Sequence, residues 1–181
     1  MNRVRLYYKD LSEIVGSKGF SVVRLTDVEE RRAICVVCDK SLTDQLTIRI
    51  NRQPGRELML PEVLMRMLTS YGNDILELIV YDICDGQYRV SLLNRQSLTV
   101  VPIRMSDAVL LHFIAHVPLY IEEELMNRQA SPYTPNARGI SIPINTLDTE
   151  HLNRELERAI AEENYRLASH LHEEIQRRNR Q

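Results

Sequence analysis

Asp85 and Gly86 separate two runs of alternating apolar character, ILELIVYDI over residues 75–83 and QYRVSLLN over 87–94. An Asp-Gly pair between two such runs predicts a two-residue β-hairpin turn, because both turn positions favour positive φ. A third run, SLTVVPI over 97–103, predicts a further strand on the same side of the chain. Three strands in succession, with no helical crossover between them, predict a largely antiparallel sheet.

The first forty residues repeat that rhythm. VRLYY, FSVVRL and AICVVC are apolar runs separated by a break at Gly16 to Gly19 and by the charged DVEERR. Between the two strand groups, LPEVLMRMLTSY carries Val63, Leu64, Met67 and Leu68 at helical spacing, with Pro61 suited to a first turn. A second helix is predicted after Arg104, where Val109, Leu110, Phe113, Ile114 and Val117 form one broad apolar face. Pro118 ends it, LYI reads as a short strand, and EEELM as an acidic turn.

Residues 128–146 contain Pro132, Pro135, Gly139 and Pro143 and few clustered apolar residues, which is the composition of a linker. From 147 onward there is neither Gly nor Pro. Leu147, Leu152, Leu156, Ala159 and Ile160, then Tyr165, Ala168, Leu171 and Ile175, give two stripes around the polar Glu162-Glu163-Asn164. Two short antiparallel helices are expected, each marginal alone, so their stripes must face each other or a partner. The expected class is therefore α+β: a mostly antiparallel sheet with packed helices over 1–127, a linker over 128–146 and a helical hairpin over 147–181.

Charge narrows the partners. Lys and Arg number 23 against 25 Asp and Glu, a net charge of -2, so nucleic acid would have to meet a local cationic surface. Arg49, Arg52 and Arg56, with Arg66 further on, are the best such cluster, and QRRNRQ at the end adds three arginines. With no Trp, two Phe and eight Tyr, no base-stacking platform is evident. No apolar run reaches the length of a membrane span and the start has no secretory character, so a cytoplasmic location is expected.

The cysteines Cys35, Cys38 and Cys84 are too few for a disulfide framework. Cys35 and Cys38 form a CxxC, but within a strand residues three apart point to opposite faces, so both read as small core residues. His112 and His116 lie one helical turn apart and could grip a metal from one face, although Val109 and Phe113 imply burial there. His170 and His172 project in different directions and read as surface residues.

Chemistry centres on Arg104, Ser106 and Asp107. Cleaving a phosphodiester requires a cation for the phosphate and a group that holds or activates water, usually carboxylates on a divalent metal. Arg104 and Asp107 supply both types, with Asp44, Glu62, Asp82 or Asp85 as acids that folding could bring near. Asp107 and Asp44 are the candidate ligands for Mg2+ or Mn2+. The structural reading of the same residues is that Ser106 or Asp107 caps the helix.

Two resemblances bear on this. Arg104, Ser106, Asp107 and Ala108, followed by Val117, Pro118, Leu119, Tyr120 and Ile121, resemble the bifunctional nuclease family, as does the order of elements over 60–94. The resemblance implies a nuclease acting on DNA and RNA. Two family features differ: Pro61 stands where a histidine is usual, and SLTDQL leaves only Asp44 as an acidic match. Leu152, Leu156, Ala159, Glu163, Tyr165, Ala168, Leu171 and Ile175 resemble the UVR motif of excision-repair proteins. That likeness implies protein partners or self-association, through Leu152, Leu156, Tyr165, Ala168, Leu171 and Ile175. The alternative function is a non-catalytic adaptor working through this hairpin.

Overall fold

The computed structural model describes residues 2–13, 21–69, 75–134, 147 and 149–179. The break at Gly16 to Gly19, the larger part of the expected linker and the last arginine of QRRNRQ lie outside them.

The three N-terminal runs form β1 (Arg3–Glu13), β2 (Ser21–Thr26) and β3 (Arg32–Cys38), paired antiparallel in succession. The second group forms β4 (Leu76–Cys84), β5 (Gln87–Asn94) and β6 (Thr99–Arg104), again antiparallel. Cys84 pairs with Gln87 across the turn, where Asp85 and Gly86 have φ of 49° and 72°. Both values are positive, as a two-residue hairpin turn requires, and Asp tolerates this conformation better than most residues.

The short strand β7 (Leu119–Glu122) joins the two groups, antiparallel to β1 and parallel to β4. A two-residue strand, β8 (Ser131–Pro132), pairs with β3 at the far edge. The sheet runs β6-β5-β4-β7-β1-β2-β3-β8. It therefore extends into the stretch whose composition is that of a linker.

Three helices pack with this sheet: α1 (Lys40–Ile50), α2 (Leu60–Thr69) and α3 (Met105–Ala115). The spacing in 41–50 does not announce α1, because Thr43, Thr47, Ile48 and Ile50 are poor helix formers. Its start is nevertheless well made: the Asp39 carboxylate accepts from the Leu42 amide at 2.8 Å. Leu42 and Leu46 are then buried at helical spacing.

α3 is covered nearly all round, with Met105, Ala108, Val109, Leu110 and His112 buried. His116 closes it in a left-handed conformation, φ 54°, one residue before Val117-Pro118. The acidic stretch expected as a turn is instead α4 (Glu123–Gln129). Glu123 and Glu124 complement the dipole of its first turn, and Leu125, Met126 and Gln129 are buried below.

The tail forms α5 (Thr149–Ala161) and α6 (Tyr165–Asn179), as the two stripes predict. Leu152, Ala159, Ala168 and Leu171 are buried together, with Leu147, Leu156, Leu167 and Ile175 packed around them. The stripes therefore face each other, at about 1.5–3 kcal/mol for each fully buried Leu. This cluster is separate from the core of the sheet domain, which centres on Leu6, Leu25, Ile34, Leu78, Leu119 and Ile121.

Candidate active-site cleft

β6 ends at Arg104 and α3 begins at Met105, so the chain turns from sheet to helix at the residues singled out for chemistry. Burial of Met105 in the core fixes where the helix starts. Arg104 is consequently the N-cap, extended at φ -69° and ψ 146°, and no side chain caps the helix. The expectation that Ser106 or Asp107 caps it is corrected: both lie inside the first turn, where helical backbone geometry replaces the extended geometry of a cap.

Asp107 pairs sideways with Arg104. Arg104 Nε donates to Asp107 Oδ2 at 2.7 Å and Nη2 to Oδ1 at 3.0 Å, a two-point fork. Hydrogen bonding and charge from Asp107 hold the guanidinium above its usual pKa, and the charge of Asp39 adds to this. Arg104 is permanently cationic, and its side chain is 79% exposed.

Arg104 and Ser106 line a cleft of about 410 Å3. One wall is the end of β3 and the cap of α1, from Val36 to Asp39. A second is the turn into β5, Gly86 to Tyr88, and the hairpin supplies Leu147 and His151. The polar groups thus come from four parts of the fold: Asp39, Gln87, Arg104 with Ser106, and His151. Tyr88 is buried, and its hydroxyl has no hydrogen-bond partner among the described residues. Burial raises its pKa, so it stays protonated.

Asp39, Gln87 and His151 escape sequence reasoning. Asp39 had a signal, a capping residue before Leu42 and Leu46, hidden by the weak helical character of α1. Gln87 and His151 had none, since only the fold brings them to the cleft.

The acids expected to gather at Asp107 are committed elsewhere. Asp44 pairs with Lys40 at 2.7 Å, and Glu62 accepts from Arg49 Nε and Nη2 at 2.6 and 2.7 Å. Asp85 accepts from Thr149 Oγ1 at 2.8 Å and Arg178 Nη1 at 3.0 Å, tying the hairpin to the β4–β5 turn. Asp82 is exposed on β4. Among the described residues no three of His, Cys, Asp and Glu are grouped to hold a metal. Asp107 and Asp44, each held by a cation, do not fit a divalent-metal cage within one chain.

The expected arginine cluster is also rearranged. Arg49 is only 6% exposed, and its Nη1 donates to the Gln45 carbonyl and side-chain oxygens at 2.8 Å besides the two bonds to Glu62. It clamps α1 to α2 and offers nothing to a substrate, a correction that follows from its place one turn after Leu46. Arg52 and Arg56 remain at the surface, outside the cleft lining. Arg66 donates to the Glu57 carbonyl at 3.3 Å.

His112 is buried as well. Its Nδ1 lies 2.8 Å from the Val117 carbonyl and Nε2 accepts from the Tyr8 amide at 3.4 Å, so both ring nitrogens are used and none is left for a metal. Cys35 and Cys38 are buried in β3, where burial pushes their thiols up to about 11 and about 12. Of the residues expected to meet a partner, Leu152, Ala168 and Leu171 are enclosed in the hairpin, with Leu156 and Ile175 packed on them. Tyr165 remains 70% exposed, and Ile160 is exposed as well.

The bifunctional nuclease domain model matches residues 23–134, a span that covers both walls of the cleft in the sheet domain and the whole of α3. No curated protein is similar enough to the chain to match it. No described helix is long and apolar enough to cross a membrane.

Proposed function

The chain belongs to the bifunctional nuclease domain family, and from that premise we propose that it cleaves phosphodiester bonds of DNA or RNA in the cleft beside α3. The observation that carries this reading is Arg104: a guanidinium held by a two-point fork to Asp107 and lining one cleft together with Asp39, Gln87, Ser106 and His151. Arg104 takes a non-bridging phosphate oxygen, and Asp107 keeps the fork oriented. Ser106 and Gln87 hydrogen-bond to the same group. His151, on the hairpin side of the cleft, supplies an imidazole that can accept or donate a proton.

Mg2+ or Mn2+ would neutralise the phosphate, but the described carboxylates do not form a cage for it. The tail resembles the UVR motif and serves as the protein-interaction module, presenting Tyr165 and Ile160 while its remaining stripe holds the hairpin together.

The test is the full chain incubated with labelled single- and double-stranded DNA and RNA, with Mg2+, Mn2+ or chelator, beside Arg104→Ala. Cleavage that falls by roughly 100-fold or more in the variant, at unchanged circular dichroism, supports the reading, since that is the usual loss when a transition-state donor is removed. Equal cleavage by variant and wild type places the activity elsewhere. That no set of acids is grouped among the described residues, together with the burial of Arg49, favours a second reading, a non-catalytic adaptor. Absence of cleavage under every condition supports it.

A further inference from the structure

α1 to α4 bury their apolar residues on one face of the sheet, together with Leu6, Leu78, Val80, Val90, Leu119 and Ile121. Side chains alternate along a strand, so Arg5, Tyr7, Ile79, Arg89 and Tyr120 project from the opposite face. The strand register sets them in rows. Arg5, Tyr120, Ile79, Ser91 and Pro102 lie opposite one another from β1 to β6. Asp82, Arg89 and Arg104 form the next row across β4, β5 and β6.

Arg89 and Arg104 are direct cross-strand partners, which puts their Cβ atoms about 4.5–5.5 Å apart. Like charges so placed repel, and an anion between them relieves the repulsion. Asp107 takes up Arg104. Arg89 is exposed and hydrogen-bonds the Cys84 side chain rather than a carboxylate, with Tyr81 and Asp82 close enough to favour its charge. At the other end of the face Arg5 is exposed and lies over the Tyr7 ring, 5.4 Å from its centre. Tyr81 is 39% exposed at the register shift between Val80 and Asp82, and Tyr120 is half-buried between Arg5 and Ile79. Of the acids on this face, Glu77 is met by Arg3 at 3.9 Å and by Arg95 at 3.4 Å.

Guanidinium groups interleaved with phenol rings suit a single strand, whose phosphates meet the cations while its unpaired bases lie on the rings. An acidic peptide would use the arginines and leave the rings idle, and a duplex hides its base faces. The second row ends at Arg104, which also lines the cleft, so the face and the cleft are continuous.

We propose that this face of the sheet is a track for single-stranded nucleic acid, in which Arg5 and Arg89 bind phosphates, Tyr7, Tyr81 and Tyr120 stack bases, and the strand passes over Arg104 into the cleft. Its course into the cleft rests on the nuclease reading above, whereas the track itself rests on the sheet face.

Fluorescence anisotropy on the full chain tests this with phosphorothioate-linked oligonucleotides, which resist cleavage, as single-stranded DNA, single-stranded RNA and duplex DNA. Three variants stand beside wild type: Arg5→Gln/Arg89→Gln, Tyr81→Leu/Tyr120→Leu and, as a cationic surface elsewhere, Arg52→Gln/Arg56→Gln. The expected result is single-strand binding whose slope of log K against log salt falls by about 1.4 in the first variant, the share of two phosphate contacts. The tyrosine variant should lose about 10-fold or more in single-strand affinity, while its duplex affinity stays the same. The Arg52/Arg56 variant should bind as wild type does, and all should keep the same circular dichroism. A wild type that binds no single strand overturns the proposal. So does an Arg5/Arg89 variant with the wild-type slope, or a loss of binding confined to the Arg52/Arg56 variant. Ordinary phosphodiester strands keep the two readings apart. If they bind as expected and are never cleaved, the nuclease reading falls and the track stands; if both track variants cleave them with the wild-type KM, the track falls and the nuclease reading stands.

Discussion

Arg104, Ser106 and Asp107 show how much a residue's neighbours in sequence reveal. Their proximity to each other was legible, and so was their place at a helix start. Which of them begins the helix was decided by the burial of Met105, a fact of the folded core. Arg49 and Glu62 illustrate the opposite case, two charges thirteen positions apart that fold into one buried pair. Their side chains are 3% and 16% exposed, so removing one leaves the other uncompensated. Glu62→Leu should therefore lower unfolding stability by about 3 kcal/mol, read from the urea midpoint; a loss near that of a surface pair, under about 1 kcal/mol, would show that Arg49 finds water. His112 makes a pH-dependent contribution. Burial lowers its pKa, His116 and Arg5 push the same way, and the Val117 carbonyl opposes them. Because the folded value lies below the unfolded one of about 6.5, the unfolded chain takes up the proton first. Stability from this site is complete above that pH and declines as the pH falls below it. Urea midpoints at neutral and mildly acid pH should differ less in His112→Gln than in wild type. An unchanged difference would assign the proton uptake to other groups.

Among the elements, those set by local chemistry were the easiest to read. The Asp85-Gly86 hairpin follows from two residues that accept positive φ, and the tail helices follow from stripes interrupted by Glu162 to Asn164. α1 was hidden because its threonines and isoleucines favour extended chain, while its formation depends on the Asp39 cap and on Leu42 and Leu46 reaching the core. α4 was hidden by its shortness, since seven residues hold few repeats of any period. The spacing in α2 predicts the helix that forms, but periodicity gives only the existence of an apolar face and says nothing of what covers it. The same gap applies to the cleft: Arg104 and Ser106 could be nominated from the chain, whereas Asp39, Gln87 and His151 meet them only through the pairing of distant segments.

At the level of the whole molecule, two hydrophobic clusters share no core, and Thr149 and Arg178 of the hairpin both bond the Asp85 carboxylate of the β4–β5 turn. Arg178 reaches Asp85 while also donating to Glu174 at 3.0 Å, and Glu174 is gripped by Arg177 as well. Burial raises the Glu174 pKa, but the bonds from these two arginines outweigh it and the net shift is downward. Glu174 therefore stays ionised at neutral pH, and its contribution fades only as the pH falls below the ordinary range of a glutamate. Asp85 is 60% exposed on its side of the Arg178 contact, and an ion pair open to solvent on one side weakens with salt, so salt loosens this tie that holds the hairpin. As Leu147 and His151 form one side of the cleft, its departure would remove that side. Asp85→Asn keeps a residue type that accepts the positive φ of the turn while deleting the charge that Arg178 meets. Amide hydrogen exchange in α5 and α6 should accelerate in this variant and, in wild type, with rising salt, while exchange in β4 and β5 stays the same. If α5 and α6 exchange at the wild-type rate in the variant, the Asp85 contacts do not hold the hairpin in place and its attachment must come from the packing of Leu147 and His151 against the cleft.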